Sequence, residues 1–139
     1  MKSLKLHHIG IATSDIEKAI AYHEMLFHLK PVTPIIEDHI QNVSVVLLSN
    51  SETSDTPIEL IAPLNKVSPV SNFLKKAIHL YHICFEVDNI DSALTEAIKH
   101  KSILLSKPAP AKLFSNRRVA FVYSSEGYIV EFLEKSSKT

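Results

Sequence analysis

The sequence predicts an α+β fold built from two βαβββ modules. The first observation is a stretch written twice. It reads His8-Ile9-Gly10-Ile11-Ala12-Thr13-Ser14-Asp15-Ile16-Glu17-Lys18-Ala19-Ile20, and then His82-Ile83-Cys84-Phe85-Glu86-Val87-Asp88-Asn89-Ile90-Asp91-Ser92-Ala93-Leu94. His8/His82, Ile9/Ile83, Ile16/Ile90 and Ala19/Ala93 are identical, while Ile11/Phe85, Glu17/Asp91 and Ile20/Leu94 keep their chemical type. The second is that each copy passes from strand-like alternation into helical spacing. The third is that each half closes on an apolar strand with one carboxylate inside it, Ile58-Glu59-Leu60-Ile61 and Val130-Glu131-Phe132-Leu133. A repeat of this size in 139 residues makes two similar halves of one domain. We place the domain over 1–139, the first module over 4–66 and the second over 78–134.

Residues 4–12 alternate as a strand, with His8, Gly10 and Ala12 on one face and His7, Ile9 and Ile11 on the other. The small neighbours of His8 leave room on its face, and the branched residues opposite form a core layer. Ser14, with Glu17 three residues on, has the spacing of a capping box. Ile16, Ala19, Ile20, His23, Leu26 and Phe27 then make one helix face, which Pro31 and Pro34 end. Residues 42–48 are β-branched and strand-like, Asn50 to Asp55 is a polar turn, and Ile58 to Ile61 is the next strand, stopped at Pro63. Ser68-Pro69 to Lys76 reads as a short helix with proline in its first turn, connecting the halves.

In the second half Leu80 to Val87 is a strand with His82, Cys84 and Glu86 on one face. Asp88 is the expected cap of a helix striped by Ile90, Ala93, Leu94, Ala97 and Ile98. Pro108 and Pro110 mark a loop, Arg118 to Tyr123 a strand, Ser124 to Gly127 a tight turn, and Tyr128 to Leu133 the last strand. A polar tail from Glu134 is expected to fray.

Composition removes several function classes. Fifteen Lys and Arg balance fifteen Asp and Glu, so no whole-chain field favours nucleic acid or an anionic membrane. No run approaches the roughly 20 apolar residues of a membrane span, and no apolar signal core follows the N-terminal Met-Lys-Ser-Leu-Lys. One cysteine, Cys84, excludes an intramolecular disulfide and suits a reducing cytoplasm. Two glycines, Gly10 and Gly127, are too few for the glycine-rich loops of nucleotide hydrolysis or NAD chemistry.

Two histidines and two glutamates, one pair per half at matching positions, are the candidate chemistry. His8, Glu59, His82 and Glu131 meet if the halves pair about a pseudo-twofold axis. A mixed N/O donor set of this kind suits one divalent ion such as Ni, Co, Zn, Mn or Fe, and four protein ligands in an octahedral shell leave two places for water or substrate. Taken singly, each residue is better read as a solvated or hydrogen-bonded strand side chain. Glu59 and Glu131, however, sit inside apolar runs where an unpaired charge is expensive. Elsewhere the plainer reading leads. Cys84 is core filler, His23 a satisfied helix histidine, and His7, His28, His39, His79 and His100 surface or strand-edge residues. Gln41 stands evenly between the mouth of a cleft and an ordinary loop amide.

These motifs carry a family resemblance. They are Leu6-His7-His8-Ile9-Gly10-Ile11-Ala12, Ile58-Glu59-Leu60-Ile61-Ala62-Pro63-Leu64, Tyr81-His82-Ile83-Cys84-Phe85-Glu86-Val87-Asp88-Asn89-Ile90, and Arg118-Val119-Ala120-Phe121 leading to Gly127-Tyr128-Ile129-Val130-Glu131. Together they span residues 4–134. The chain resembles the vicinal oxygen chelate superfamily (the glyoxalase, bleomycin-resistance and dioxygenase fold), and within it the methylmalonyl-CoA epimerase and glyoxalase-like branch. The resemblance implies a pseudo-twofold pair of modules forming a cupped, barrel-like mixed sheet. It implies metal ligands at His8, Glu59, His82 and Glu131, and by analogy a homodimer. The implied chemistry is Lewis-acid polarisation of a carbonyl whose α-carbon loses a proton to a carboxylate. Glu131 is the first choice of base, with Glu59 on the other side of the substrate plane.

Departures from the family pattern bear on substrate. Glyoxalase I proteins usually carry Arg after the first metal His and Asn after the first metal Glu, both for glutathione; this chain has Ile9 and Ile61-Ala62-Pro63 there. Epimerases commonly have Glu-Gln-Gly or Glu-His-Gly before the third strand and a His-Pro-Lys…Gly-Gly turn before the last. Here the corresponding stretches are Ile40-Gln41-Asn42 and Tyr123-Ser124-Ser125-Glu126-Gly127, and Val45 stands near the place of a separate epimerase carboxylate. Lys112, Arg117 and Arg118 are candidates for a phosphate or CoA contact, but for each the plainer reading as an ordinary surface cation leads.

The leading reading is epimerisation of a 2-substituted malonyl thioester, an acyl-CoA. The first alternative is glyoxalase-type lyase chemistry, as in lactoylglutathione lyase, on an α-keto or hemithioacetal compound. The alternative of another class is a metal-free ligand-binding or resistance protein, which a complete quartet argues against. A ring-cleaving dioxygenase is disfavoured, since those enzymes typically hold Fe with two His and one Glu in a larger chain.

Overall fold

Alternation along the long strands divides each of them between a face that meets a helix and a face that does not. In the computed structural model, which describes residues 3–50 and 55–136, the chain is α+β and separates into two compact units. One is His8–Tyr81; the other is His82–Thr139 together with Met1–His7. In chain order the elements are β1 (Lys5–Ala12), α1 (Ile16–Phe27), β2 (Lys30–Pro31), β3 (Ile36–Asp38), β4 (Val43–Ser49), β5 (Ile58–Pro63) and α2 (Pro69–Lys75). There follow β6 (Leu80–Val87), α3 (Ile90–Lys99), β7 (Ile103–Leu104), β8 (Ala109–Ala111), a 3₁₀ turn (Lys112–Phe114), β9 (Arg117–Tyr123) and β10 (Ile129–Glu134).

In the unit of residues 8–81 the strand order is β2-β4-β5-β1, with β3 also paired to β4. β1 and β5 run parallel, β4 and β5 antiparallel. Ile16, Ala19 and Ile20 of α1 close over Val46, Leu48 and Leu60, all three fully buried. In the other unit the order is β6-β10-β9-β7, with β8 also on β9. Ile90 and Leu94 of α3 cover Val87, Ala120, Val122, Val130 and Phe132. The opposite face of that sheet gathers Cys84, Ala111, Phe114, Val119 and Leu133, so Cys84 is core, as its plainer reading has it.

Both helix starts lie one residue beyond the expected cap. Asp15, not Ser14, accepts the Lys18 N–H at 3.1 Å, and Asn89, not Asp88, accepts that of Ser92 at 2.9 Å. A carboxylate at the positive end of α1 caps at least as well as a hydroxyl, and Asp88 is taken up by an ion pair with Lys135 at 2.9 Å. Ser68 caps α2, and Pro69 stands in its first turn as expected. The apolar stripes are shorter than their sequence spacing: Leu26 and Phe27 are about half exposed, as is Ile98. The His23 Nδ1 sits 2.7 Å from the Ala19 carbonyl, a satisfied helix histidine.

The proline-marked loops contain short strands. β2 and β3 both pair with β4, and β7 and β8 both pair with β9. Pro31 and Pro110 sit in such short pieces, where a missing N–H costs little. The βαβββ order therefore holds, with one strand of each module in two pieces. Glu134 does not fray: it ends β10, and its carboxylate accepts the Ile90 N–H at 2.9 Å. Gly127 closes the last turn at φ 95°, its N–H on the Ser124 carbonyl. Most of the polar turn expected over 50–55, and the tail beyond 136, lie outside the described residues.

Candidate metal centre

Strand register places each predicted histidine beside the glutamate of its own unit. Glu59 on β5 stands opposite Gly10 of β1, two residues along from His8. The His8 Nε2 lies 3.6 Å from the Glu59 Oε1, with side-chain exposures of 0% and 7%. Glu131 on β10 stands opposite Cys84 of β6, two residues along from His82. The His82 Nε2 lies 3.1 Å from the Glu131 Oε1, with exposures of 1% and 5%. Both pairs project from the sheet face that does not meet a helix. A buried carboxylate needs a compensating partner, and each unit supplies one nitrogen and one oxygen donor from rigid strands.

The donor geometry fits a metal. Two donors each about 2.1 Å from one ion lie about 3.0 Å apart at a right angle and about 3.4 Å apart at the tetrahedral angle. The separations of 3.1 and 3.6 Å are close to that span, and the longer one is too wide for an N–H···O hydrogen bond. Imidazole with carboxylate is a donor set that first-row divalent ions accept.

Around the second pair, the Phe121 ring meets the His82 imidazole edge-on, centroids 5.3 Å apart and planes at 82°. Asp38, 4% exposed, accepts the Ile40 and Gln41 N–H groups and so holds the half-buried Gln41 in place. Asp38 did not stand out in the sequence, and Phe121 entered only as the end of a motif, with no role of its own. The repeat register could have marked Phe121, since it lies across from a candidate ligand.

The cations considered for phosphate divide. Lys112 is exposed. Arg117 is not an ordinary surface cation: its guanidinium donates to the Glu134 carbonyl at 2.8 Å and to the Glu86 carboxylate at 2.6 Å. Arg118 spans Glu134 at 2.9 Å and Asp91 at 3.3 Å. Burial works to raise the Glu86 carboxyl, but the Arg117 hydrogen bond and charge, helped by His7 and Lys5, hold it below its usual 4.5. Glu134 is lowered by Arg118 and the Ile90 N–H.

A depressed carboxylate stabilises the fold fully above its unfolded pKa, and that contribution is lost as pH falls through the folded value. The melting temperature is therefore expected to drop as pH falls below about 4.5, and Glu86→Gln to flatten part of that acid limb. Identical acid limbs for the two proteins in melts from neutral pH downward would contradict this assignment.

With this geometry established, comparison with known proteins is direct. The family model described as glyoxalase/bleomycin resistance protein/dioxygenase superfamily matches residues 7–121. The chain belongs to that superfamily.

Several of its relatives are epimerases by name. It is 33% identical over 132 residues to the mitochondrial methylmalonyl-CoA epimerase of Bos taurus, covering 91% of this chain and 72% of that protein. It is 31% identical to the ethylmalonyl-CoA/methylmalonyl-CoA epimerase of Cereibacter sphaeroides, covering 91% and 95%. The chain spans 57% of the human mitochondrial methylmalonyl-CoA epimerase, to which it is 36% identical over 107 residues, 74% of this chain. A hypothetical protein from Bacillus halodurans has the same fold, with a TM-score of 0.83, 29% identity and 99% of each chain covered. No helix among the described residues is long and apolar enough to cross a membrane.

Proposed function

We propose that the chain is a divalent-metal-dependent isomerase that epimerises a 2-alkylmalonyl thioester of the methylmalonyl-CoA type. The observation that carries this reading is the pair of buried His–Glu sets, His8 with Glu59 and His82 with Glu131, on corresponding strands of the two units. The names of the relatives supply the substrate class. In this reading His8, Glu59, His82 and Glu131 together hold one ion per chain. A bound divalent ion supplies Lewis acidity toward the thioester carbonyl and so acidifies the neighbouring α-carbon.

The protein's own task is proton traffic. Glu131 as carboxylate takes the α-proton, breaking the C–H bond, and Glu59 as carboxylic acid returns a proton to the opposite face. One proton leaves the carbon and one is gained, so the substrate is inverted without net charge change. The two carboxyls end with exchanged protonation and are reset by solvent. Burial of both side chains keeps bulk water from competing for the proton.

Cys84, a buried thiol outside any disulfide, supports placement in a reducing compartment such as the cytoplasm. A homodimer is proposed on family analogy.

The test is reaction of one epimer of methylmalonyl-CoA in D₂O, followed by NMR. The reading expects one deuteron at the α-carbon and loss of optical purity. Absence of both, with isomerisation of a hemithioacetal instead, would move the assignment to the glyoxalase alternative.

A further inference from the structure

Each glutamate of the candidate centre has two cross-strand neighbours, and these differ between the units. Glu59 stands opposite Gly10 on β1 and Leu47 on β4. Glu131 stands opposite Cys84 on β6 and Phe121 on β9. The displacement along the chain that takes His8 to His82 also takes Gly10 to Cys84 and Leu47 to Phe121. These are matching positions of one repeat, filled differently.

One carboxylate therefore sits between a residue with no side chain and an aliphatic one. The other sits between a thiol and an aromatic ring. Cys84 is fully buried within the core cluster of Ala111, Phe114, Val119 and Leu133. Phe121 packs on the cluster of Cys84, Phe114, Val119 and Leu133 but is only half-buried, and its ring lies edge-on to His82. It shares a sheet face with both His82 and Glu131, and it offers apolar surface beside the group assigned to take the proton.

We propose that Phe121 is the specificity-determining residue of the His82–Glu131 half. Its ring forms the apolar wall against which the substrate's α-alkyl substituent packs, and it limits that substituent to a small group. This inference rests on the epimerase reading above. The alkyl group is the one part of a 2-alkylmalonyl thioester that gains nothing from charged or polar partners, so an apolar wall next to the base is where it is accommodated. Leucine fills the matching position of the other unit, Leu47.

The experiment compares the wild-type protein, Phe121→Leu and Phe121→Ala, each checked for folding by circular dichroism and for metal content. For each, kcat/KM for α-proton exchange is measured with methylmalonyl-CoA and with butylmalonyl-CoA. Dissociation constants for the same two thioesters are measured by calorimetry on the metal-free proteins. The ratio of butyl to methyl kcat/KM is expected to rise by about tenfold or more in Phe121→Ala and by less in Phe121→Leu. The affinity ratio should move the same way, with metal content unchanged. If Phe121→Ala does not fold, the Leu variant decides.

Ratios that stay within about twofold of wild type in the folded variants overturn the inference. Metal loss in Phe121→Leu also overturns it, since the ring would then act through His82 and not on the substrate. Absence of exchange by the wild-type protein on either thioester is a different outcome, and it overturns the epimerase reading together with the inference built on it.

Discussion

Glu131→Gln is expected to slow epimerisation of a 2-alkylmalonyl thioester by about 10²- to 10⁴-fold, the range that a positioned general base contributes, or about 3–5 kcal/mol in the barrier. Glutamine keeps the shape of the side chain and some of its hydrogen-bonding capacity but cannot hold the proton. The fold is expected to survive, because the substituted group is neutral and Glu131 lies in a strand whose helix-facing residues, Val130 and Phe132, carry the packing. Following deuterium uptake separately from each epimer identifies the face served. With Glu131 disabled, the epimer presenting its α-hydrogen to Glu131 stops exchanging, while exchange on the opposite face is the share assigned to Glu59. Undiminished epimerisation would remove Glu131 as base.

A divalent ion is expected to stabilise the protein strongly. Binding to the folded chain alone contributes RT ln(1 + [L]/Kd), about 4 kcal/mol at a thousandfold excess over Kd. For a chain of this size that raises the melting temperature by about 10 °C or more, and a chelator should reverse it. The physical source is plain: four buried polar groups, His8, Glu59, His82 and Glu131, at 0%, 5%, 3% and 4% exposure, gain a cation that compensates buried carboxylate charge in a low-dielectric setting. A melting temperature indifferent to Ni, Co, Zn, Mn and chelator would count against a metal at these residues and favour the metal-free binding reading.

Much of the architecture was legible because the chain repeats itself. The strand of His8 and that of His82, the helices after them and the strands carrying Glu59 and Glu131 all follow from period and register. The expected caps were displaced by one residue because several neighbours, Thr13 to Asp15 and Asp88 to Asn89, are all competent to cap. Sequence spacing does not show that Lys135 engages Asp88. The pieces β2, β3, β7 and β8 were hidden because two or three residues carry no periodicity and prolines stand among or beside them.

The pairing of each histidine with its own glutamate needed only strand order. The contrast of Phe121 with Leu47 needed the register across β9 and β4, which depends on where each hairpin closes. Arg117 was misjudged as an ordinary surface cation because its partner Glu86 is distant in sequence and meets it only through the sheet.

The central claim is that the two His–Glu pairs act as one centre, and metal stoichiometry tests it most directly. The wild-type protein, His8→Ala and His82→Ala would each be loaded with a divalent ion, desalted and assayed by elemental mass spectrometry. The account predicts about one ion per chain in the wild type, and loss of that ion in both variants, because each removes a ligand of the same centre. Two ions per chain with each variant losing only one, or no ion retained by the wild type, would contradict it.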